Sequence, residues 1–224
     1  MANEDHKWKN SHIFSNYYTE KKPLIINGEE WLNTEQFFQA EKYNRFGKTN
    51  PSLGRPVKRE QEYREFIRIA DSSQKTKMLA NQKPDLRFGK KWRLNTGKTW
   101  KPNGKNSKDD RIVNDLIYEY KDKVVFDKEW WDSRSIYVMI TALTHKFTQY
   151  KNLYNIIVNE IEDNDYLVEN TSRDKIWADG GDKGSGKIGK NYLGKILTVL
   201  HHILKYGDCS HMSNDLRKKV KIYK

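Results

Sequence analysis

The 224-residue sequence predicts a mostly helical α+β fold built as a single domain. Several stretches place apolar residues three and four positions apart, which is the spacing of amphipathic helices. One short segment, "LIINGEEWL" at residues 24–32, places Asn27-Gly28 between two strand-like runs, the strongest short-range signal for a β-hairpin. The length suits one substantial domain with a sizeable core.

A helix is predicted directly after the hairpin. Asn33 can cap its amino terminus and Gln36 stands where the reciprocal partner of a capping box belongs. Leu32 and Phe37 occupy the positions of a hydrophobic staple. We expect this helix to extend through "TEQFFQAEKYNRF" and to end near Gly47.

The middle of the chain changes character. A helical pattern around residues 59–81 is interrupted near Ser72-Ser73. Residues 84–110 are then rich in Lys, Arg and Gly, contain two Trp, and show no steady period, which predicts a long basic loop or insertion. This segment is either an anion contact or a solvated loop.

Helical stripes return in the last third and are expected to be core. They comprise Ile136, Ile140, Leu143 and Phe147; Leu153, Ile156, Ile157 and Ile161; and Leu193, Ile196, Leu197, Leu200, Ile203 and Leu204. Gly207 stands where a helix terminator belongs, and the basic tail "NDLRKKVKIYK" is expected to be loosely held.

Charge favours a polyanionic partner. The formal net charge is +12, because 42 Lys and Arg face 30 acidic residues, although a well-solvated surface would also account for it. Cys209 is the only cysteine, which favours a reducing compartment. No apolar run approaches 18 residues, and the start "MANEDHKWKNSH" is too polar for a signal peptide, so we expect a cytoplasmic protein without a membrane partner.

A Gly-rich loop partly matches a nucleotide-binding pattern. Gly181–Lys187 reads G-D-K-G-S-G-K, the first seven places of G-x-x-x-x-G-K-[ST], but Ile188 replaces the magnesium-binding hydroxyl. The residues leading in are polar, and the next helix begins only near Asn191. The pattern therefore disfavours a nucleotidase, although backbone N–H groups of the loop remain candidates for cradling a phosphate.

Several elements together resemble the NADAR family, also called YbiA-like. They are, in order, F-S-N-Y-Y at 14–18, T-E-Q-F-F-Q-A-E-K at 34–42, Trp131, Met139, Lys146-Phe147, D-K-I-W at 174–177, and G-K-N-Y-L-G-K-I-L at 189–197. Ala178 departs from the Gly that the family usually has after the Trp. The resemblance implies a YbiA-like domain over residues 12–206, with the basic insertion at about 84–126 and a basic tail at 207–224.

The resemblance implies hydrolysis of an N-glycosidic bond. The six His show no pairing with Asp or Glu at metal-ligand spacing, so we expect no metal or cofactor. Some members act on ribosylamine phosphate intermediates of riboflavin biosynthesis; others remove ADP-ribose from guanine in nucleic acid, reversing a toxin's mark. The charge favours the second substrate, ADP-ribosylated DNA or RNA, and with it a role in DNA repair and a functional pairing with an ADP-ribosyltransferase toxin. A non-catalytic module that binds ADP-ribose or nucleic acid is the alternative of another class.

Three residues are the predicted catalytic groups. A glycosidic transition state carries positive charge on the sugar, so carboxylates suit it, and we assign Glu35 and Asp174, with Glu169 as an alternative second carboxylate. Lys42 lies seven residues after Glu35, so both project from the polar face of the predicted helix. In family members that act on ADP-ribosylated guanine, this lysine forms an imine with the opened ribose; an electrostatic clamp is the alternative role.

Predicted substrate contacts complete the site. Aromatic rings would stack on the base or line the ribose pocket, although each Trp alone is more often a core residue. Asn191 would serve as a helix cap, a ligand contact or both. The predicted substrate-binding residues are Phe14, Ser15, Asn16, Gln39, Trp131, Trp177, Gly189 and Asn191.

Overall fold

The structure is a computed structural model that describes residues 11–44, 58–82, 107–124 and 126–221, without the side chains of residues 107–112. The chain divides into two compact units, Thr19–Ser135 and a second unit formed by Met1–Tyr18 with Ile136–Lys224. The fold is α+β and mostly helical with one small antiparallel sheet, as predicted. Over the described ranges, no helix combines the length and the apolar character needed to cross a membrane.

The predicted hairpin is confirmed in the first unit. Strand β1, Leu24–Ile26, pairs antiparallel with β2, Glu29–Trp31, so that Leu24 faces Trp31 across the ladder. Asn27 and Gly28 both have positive φ angles of 54° and 80°, as a two-residue turn of the primed type requires. Leu24, Ile26 and Trp31 are buried, so one face of the hairpin contributes to the core.

Helix α1, Thr34–Ala40, is shorter than predicted. Asn33 caps it by accepting a hydrogen bond from the Gln36 amide at 3.0 Å, whereas the Gln36 side chain accepts from the Leu32 amide and so reaches one residue beyond the expected partner. The chain then tightens into a 3₁₀ turn, Glu41–Tyr43, instead of continuing as an α-helix to Gly47. All seven residues of α1 are buried, including its polar ones.

Helices α2, Lys58–Arg68, and α3, Ser73–Ala80, confirm the interrupted pattern, and Ser72 caps α3. Helix α4, Ser107–Tyr120, corrects the prediction of a basic loop, which is wrong for residues 107–110. Val113 and Ile117 lie one turn apart and are buried, a helical signal masked by the basic run before it. Residues 84–106 of the predicted insertion lie outside the described residues.

Helix α5, Lys128–Gln149, begins eight residues before Ile136. Its first eight residues belong to the first unit and the rest to the second. The second unit also contains α6, Lys151–Asn159, and α7, Tyr192–Tyr206, which ends as predicted at Gly207, here in a left-handed conformation. The predicted core stripes are wrong at Ile140 and Ile203, which are 41% and 44% exposed.

The tail is not loosely held throughout. Helix α8, Asn214–Lys219, is capped by Ser213 and buries Leu216.

A partly buried ion-pair network joins three elements of the first unit. The Arg64 guanidinium on α2 binds Glu29 of β2 at 2.5 Å and Glu41 of the 3₁₀ turn at 3.1 Å. Arg64 also lies over the Trp31 ring, 5.0 Å from its centroid. Burial alone would lower the pKa of Arg64, but the two carboxylates raise it, so the side chain stays charged.

Removing Arg64 should destabilise the protein. Arg64→Met leaves the buried Glu41 carboxylate without its guanidinium, and we expect the free energy of unfolding to fall by about 3 kcal/mol. Lys58→Met, which breaks an exposed pair with Glu62 on the same helix, should cost less than about 1 kcal/mol. Denaturant titration of both variants measures the difference; equal losses would contradict a structural role for the network.

Candidate active site

A polar cluster on α1 lies inside the first unit. Glu35 and Gln39 are only 5% and 7% exposed. The Gln39 amide nitrogen donates to Glu35 Oε1 at 2.8 Å, and Lys77 Nζ lies 3.6 Å from the same oxygen. The predicted polar face of α1 is therefore a buried polar face, and its carboxylate is held by an amide and an ammonium group.

Gln39 brings an unused acceptor to this cluster. Its nitrogen must face Glu35, because a carboxylate oxygen accepts and cannot donate, so its oxygen points elsewhere. That oxygen is buried and receives no hydrogen bond within the described parts of the chain. Buried polar atoms are nearly always paired, so the oxygen is suited to accept a hydroxyl group of a ligand.

Lys42 is fixed by both of its neighbours. Glu41 is bound by Arg64, and the Tyr43 hydroxyl donates to the Ala80 carbonyl at 2.8 Å. Burial lowers the pKa of Lys42 to about 8, and the opposing effect of the Glu35 charge raises it only in part. A lysine with this pKa is partly neutral at physiological pH and can act as a nucleophile.

A cavity of about 170 Å³ lies next to this lysine. The Asn81 side-chain oxygen is 3.5 Å from Lys42 Nζ, and the half-exposed Phe126 ring has its centroid 5.8 Å from the same atom. The lining residues are Lys42, Tyr43, Ala80, Asn81, Gln82 and Phe126. The space is far smaller than a pocket for a whole nucleotide ligand and suits a single sugar-sized ring.

Trp131 lies in the core of the first unit. It is 6% exposed and packs edge-on against Phe38 at a centroid distance of 4.8 Å. The structure therefore favours a packing role for Trp131 in the core over a contact with the base.

The F-S-N-Y-Y segment belongs to the second unit and depends on the Lys146-Phe147 pair. Lys146 Nζ is buried and donates to the carbonyls of Ile13 and Ser15 at 2.5 and 2.8 Å. The ring of Phe14 stacks on that of Phe147 at 5.7 Å. The F-S-N-Y-Y segment and the Lys146-Phe147 pair, which are far apart in the sequence, are thus in direct contact. Asn16, also in this segment, is 9% exposed.

Asp174 organises the loop that follows it. Its Oδ1 accepts hydrogen bonds from the amides of Ile176 and Trp177 at 2.8 and 2.9 Å. Trp177 is half-buried and packs edge-on against Tyr192. A carboxylate oxygen engaged in this way holds the turn in place, which gives Asp174 a structural role beside the catalytic one predicted.

Asp179 and Asp182 are two organising residues that the sequence analysis missed. The buried Asp179 carboxylate accepts from the amides of Thr171, Gly181 and Gly184. Asp182 accepts from Gly184 and from Ile188, whose amide is the main cause of its lowered pKa. The signal was present in the sequence as two Asp-x-Gly stretches, because Asp side chains commonly bond to amides two residues on.

These bonds overturn the phosphate-cradle expectation for the amides involved. The amides of Asn191, Tyr192 and Leu193, at the start of α7, likewise donate to carbonyls of residues 176–178 at 3.0 to 3.2 Å. These particular N–H groups are thus already hydrogen-bonded within the protein.

Asn191 and Gly189 also have internal roles. Asn191 does not cap α7 with its side chain; it adopts a left-handed φ of 49°, accepts from the Glu169 amide and donates to the Leu167 carbonyl. A Cβ on Gly189 would lie 2.2 Å from the Asp179 carbonyl carbon, so only glycine permits this approach of two backbone segments. The helix-cap prediction for Asn191 is correct in position but wrong in mechanism.

Glu169 is the carboxylate of this unit best suited to proton transfer. Burial raises its pKa, and the charges of Asp174 and Asp179 raise it further. Its carboxylate accepts no hydrogen bond from any residue that the structure describes. A raised pKa and an uncommitted side chain are what a general acid requires.

The two carboxylates should therefore respond differently to substitution. Asp174→Ala removes the acceptor of two amides, and we expect the free energy of unfolding to fall by about 1 to 2 kcal/mol. Glu169→Gln should leave stability unchanged within about 0.5 kcal/mol, because no bond is lost. Thermal melting measures both effects, and a drop in activity of folded Glu169→Gln would then be chemical. A large loss of stability in Glu169→Gln would contradict this assignment.

Comparisons with known proteins agree with the motifs. The family described as the NADAR domain matches residues 4–205. No curated protein sequence matches the chain. The NMR structure of the E. coli protein YbiA is similar, at 25% identity over 90% of this chain and 83% of that one, with a TM-score of 0.51. The chain therefore belongs to the NADAR family, which includes N-glycosidase-like members.

Proposed function

We propose that this protein hydrolyses the N-glycosidic bond between ADP-ribose and guanine in nucleic acid. The observation that carries the proposal is Lys42, a partly buried lysine beside a sugar-sized cavity with its pKa lowered to about 8. At pH 7.4 roughly one in five such side chains is a neutral amine, against roughly one in a thousand for an ordinary lysine. Burial thus prepares Lys42 for attack on carbon.

The reaction balances with water as the only other reactant. Opening of the ribose ring gives an imine between the sugar C1 and the guanine nitrogen, and the neutral Lys42 amine adds to that carbon. The bond from C1 to the guanine nitrogen then breaks, and this nitrogen leaves with a proton. A lysine imine remains, and water hydrolyses it to ADP-ribose and the free amine.

Glu35 and Gln39 support this chemistry from the same cluster. The charge of the Glu35 carboxylate raises the pKa of Lys42, so a negative charge acts on the atom that becomes positive during the reaction. The same negative charge favours the positively charged iminium. The buried Gln39 oxygen supplies an acceptor for a sugar hydroxyl.

Charge supports nucleic acid as the carrier of the modified base. The net charge of +12 favours a polyanionic substrate over a small metabolite. Activity on the ADP-ribosylated oligonucleotide should therefore fall with ionic strength.

Lys42 should form a covalent adduct during turnover. Incubation with an oligonucleotide carrying ADP-ribosyl guanine, followed by borohydride, should trap a secondary amine at Lys42, detected as a mass increase. Lys42→Arg keeps the charge but cannot form the imine, and we expect kcat to fall at least about a hundredfold.

Lys77→Ala is the matched control, because Lys77 also lies beside Glu35 yet lines no part of the cavity described. It should still be trapped. An adduct of equal yield in Lys42→Ala, or high activity in Lys42→Arg, would contradict the role of Lys42 as nucleophile. An electrostatic role for its charge would then remain. If the protein cleaves a ribosylamine phosphate and not the oligonucleotide, the substrate is the small metabolite and the proposal of a nucleic-acid substrate is wrong.

The trapping rate should report the pKa of Lys42. Only the neutral amine attacks, so the single-turnover rate should rise with pH and level off above about pH 8. Because the Glu35 charge raises this pKa, Glu35→Gln should move the inflection below pH 8, whatever it does to the plateau. Asp71→Asn, which removes an exposed carboxylate paired with Lys75, should leave it in place. A wild-type inflection near pH 10.5 would contradict the buried nucleophile.

A further inference from the structure

Two lysines of the second unit lie against one aromatic ring. Lys190 Nζ and Lys195 Nζ are 5.5 and 5.8 Å from the centroid of the Tyr192 ring. Lys190 is exposed and Lys195 half-buried. Burial lowers the pKa of Lys195, and the charge of Lys190 lowers it further, as expected for two like charges held close together.

Within the described ranges, no carboxylate oxygen lies within 4 Å of either ammonium nitrogen, the distance at which an ion pair forms. Other lysines of the same unit have such a partner: Lys205 binds Asp163 at 2.7 Å, and Lys218 binds Asp215 at 3.3 Å. Lys195 Nζ donates a hydrogen bond to the Lys221 carbonyl at 3.1 Å, which leaves its charge in place.

Three acids of the preceding loop bind backbone amides. Asp174, Asp179 and Asp182 direct their oxygens at backbone amides of the loop. In the described ranges, none of these carboxylates forms an ion pair with Lys190 or Lys195. The positive end of the α7 dipole adds to the local potential, since Tyr192 is the first residue of that helix.

We propose that Lys190 and Lys195 form an interaction surface for the phosphodiester backbone of nucleic acid. This rests on the proposed function in one respect, that the substrate is a modified nucleic acid. Two exposed or half-exposed ammonium groups without counter-charges suit phosphates, which each lysine neutralises with release of a counterion. Contacts of this kind position the substrate and carry no sequence information.

The salt dependence of binding tests the surface directly. Affinity for an unmodified single-stranded oligonucleotide is measured by fluorescence anisotropy between 50 and 300 mM salt. The double variant Lys190→Gln/Lys195→Gln should reduce the slope of log K against log salt by about 1.4, because each contact to a single strand contributes about 0.7. The control Lys151→Gln/Lys218→Gln removes the same charge from the same unit and should keep the wild-type slope.

A second measurement identifies the source of the phosphate. Hydrolysis is compared on ADP-ribosyl guanine within an oligonucleotide and within a free nucleoside. The double variant should raise KM about tenfold for the oligonucleotide and leave KM for the nucleoside unchanged. An equal rise in KM for both substrates would indicate that the two lysines contact the ADP-ribose diphosphate. It would contradict the proposed surface for the phosphodiester backbone.

The outcomes separate this inference from the proposed function. A wild-type protein that hydrolyses neither substrate contradicts the function, while the salt slope still reports on the surface. If the double variant keeps the wild-type slope of log K against log salt, or if the control shows the same reduction, the proposed phosphate-binding surface is wrong. If the double variant melts early, Lys190→Glu replaces it, because the Lys190 ammonium makes no hydrogen bond within the described chain, and it should lower the slope by at least about 0.7.

Discussion

The buried ion pair between Arg64 and Glu41 is the constraint on which the candidate active site depends. It ties the 3₁₀ turn that carries Lys42 to helix α2, and the bond from Arg64 to Glu29 extends the tie to the hairpin. On the other side of Lys42, Tyr43 is bonded to the end of α3. A lysine in a mobile turn would move its ammonium into water; here both neighbours are fixed, so the desolvation that lowers its pKa persists.

The second unit uses carboxylates for a different purpose. Asp174, Asp179 and Asp182 bind amides of their own loop, and Gly189 permits two backbone segments to meet. Amides that point at a carboxylate within the loop resemble amides that point at a bound phosphate, because both stabilise an anion with fixed dipoles. The Gly-rich sequence therefore resembles a nucleotide-binding pattern, although several of its amides bind carboxylates of the same loop. Beside this loop, Lys190 and Lys195 have no carboxylate partner within the described ranges.

Several elements could be predicted because they depend on residues a few positions apart. The Asn27-Gly28 turn, the caps at Asn33 and Ser72, and the Gly207 terminator are set by local backbone preferences. Helix α4 was missed because its apolar spacing follows a basic, Gly-rich run without a period. The exposure of Ile140 likewise depends on what packs against α5, which periodicity along one helix does not specify.

By itself, the sequence determined the fold class, the hairpin, most helices and the family, and it singled out Glu35 and Lys42 as candidates. Only the tertiary structure decided the properties that would make them chemical groups. The lowered pKa of Lys42 depends on the atoms that surround it. The same holds for the buried Gln39 oxygen, which has no hydrogen-bond partner among the described residues. Desolvation and hydrogen bonding are properties of that environment, and residue identity and spacing do not specify it.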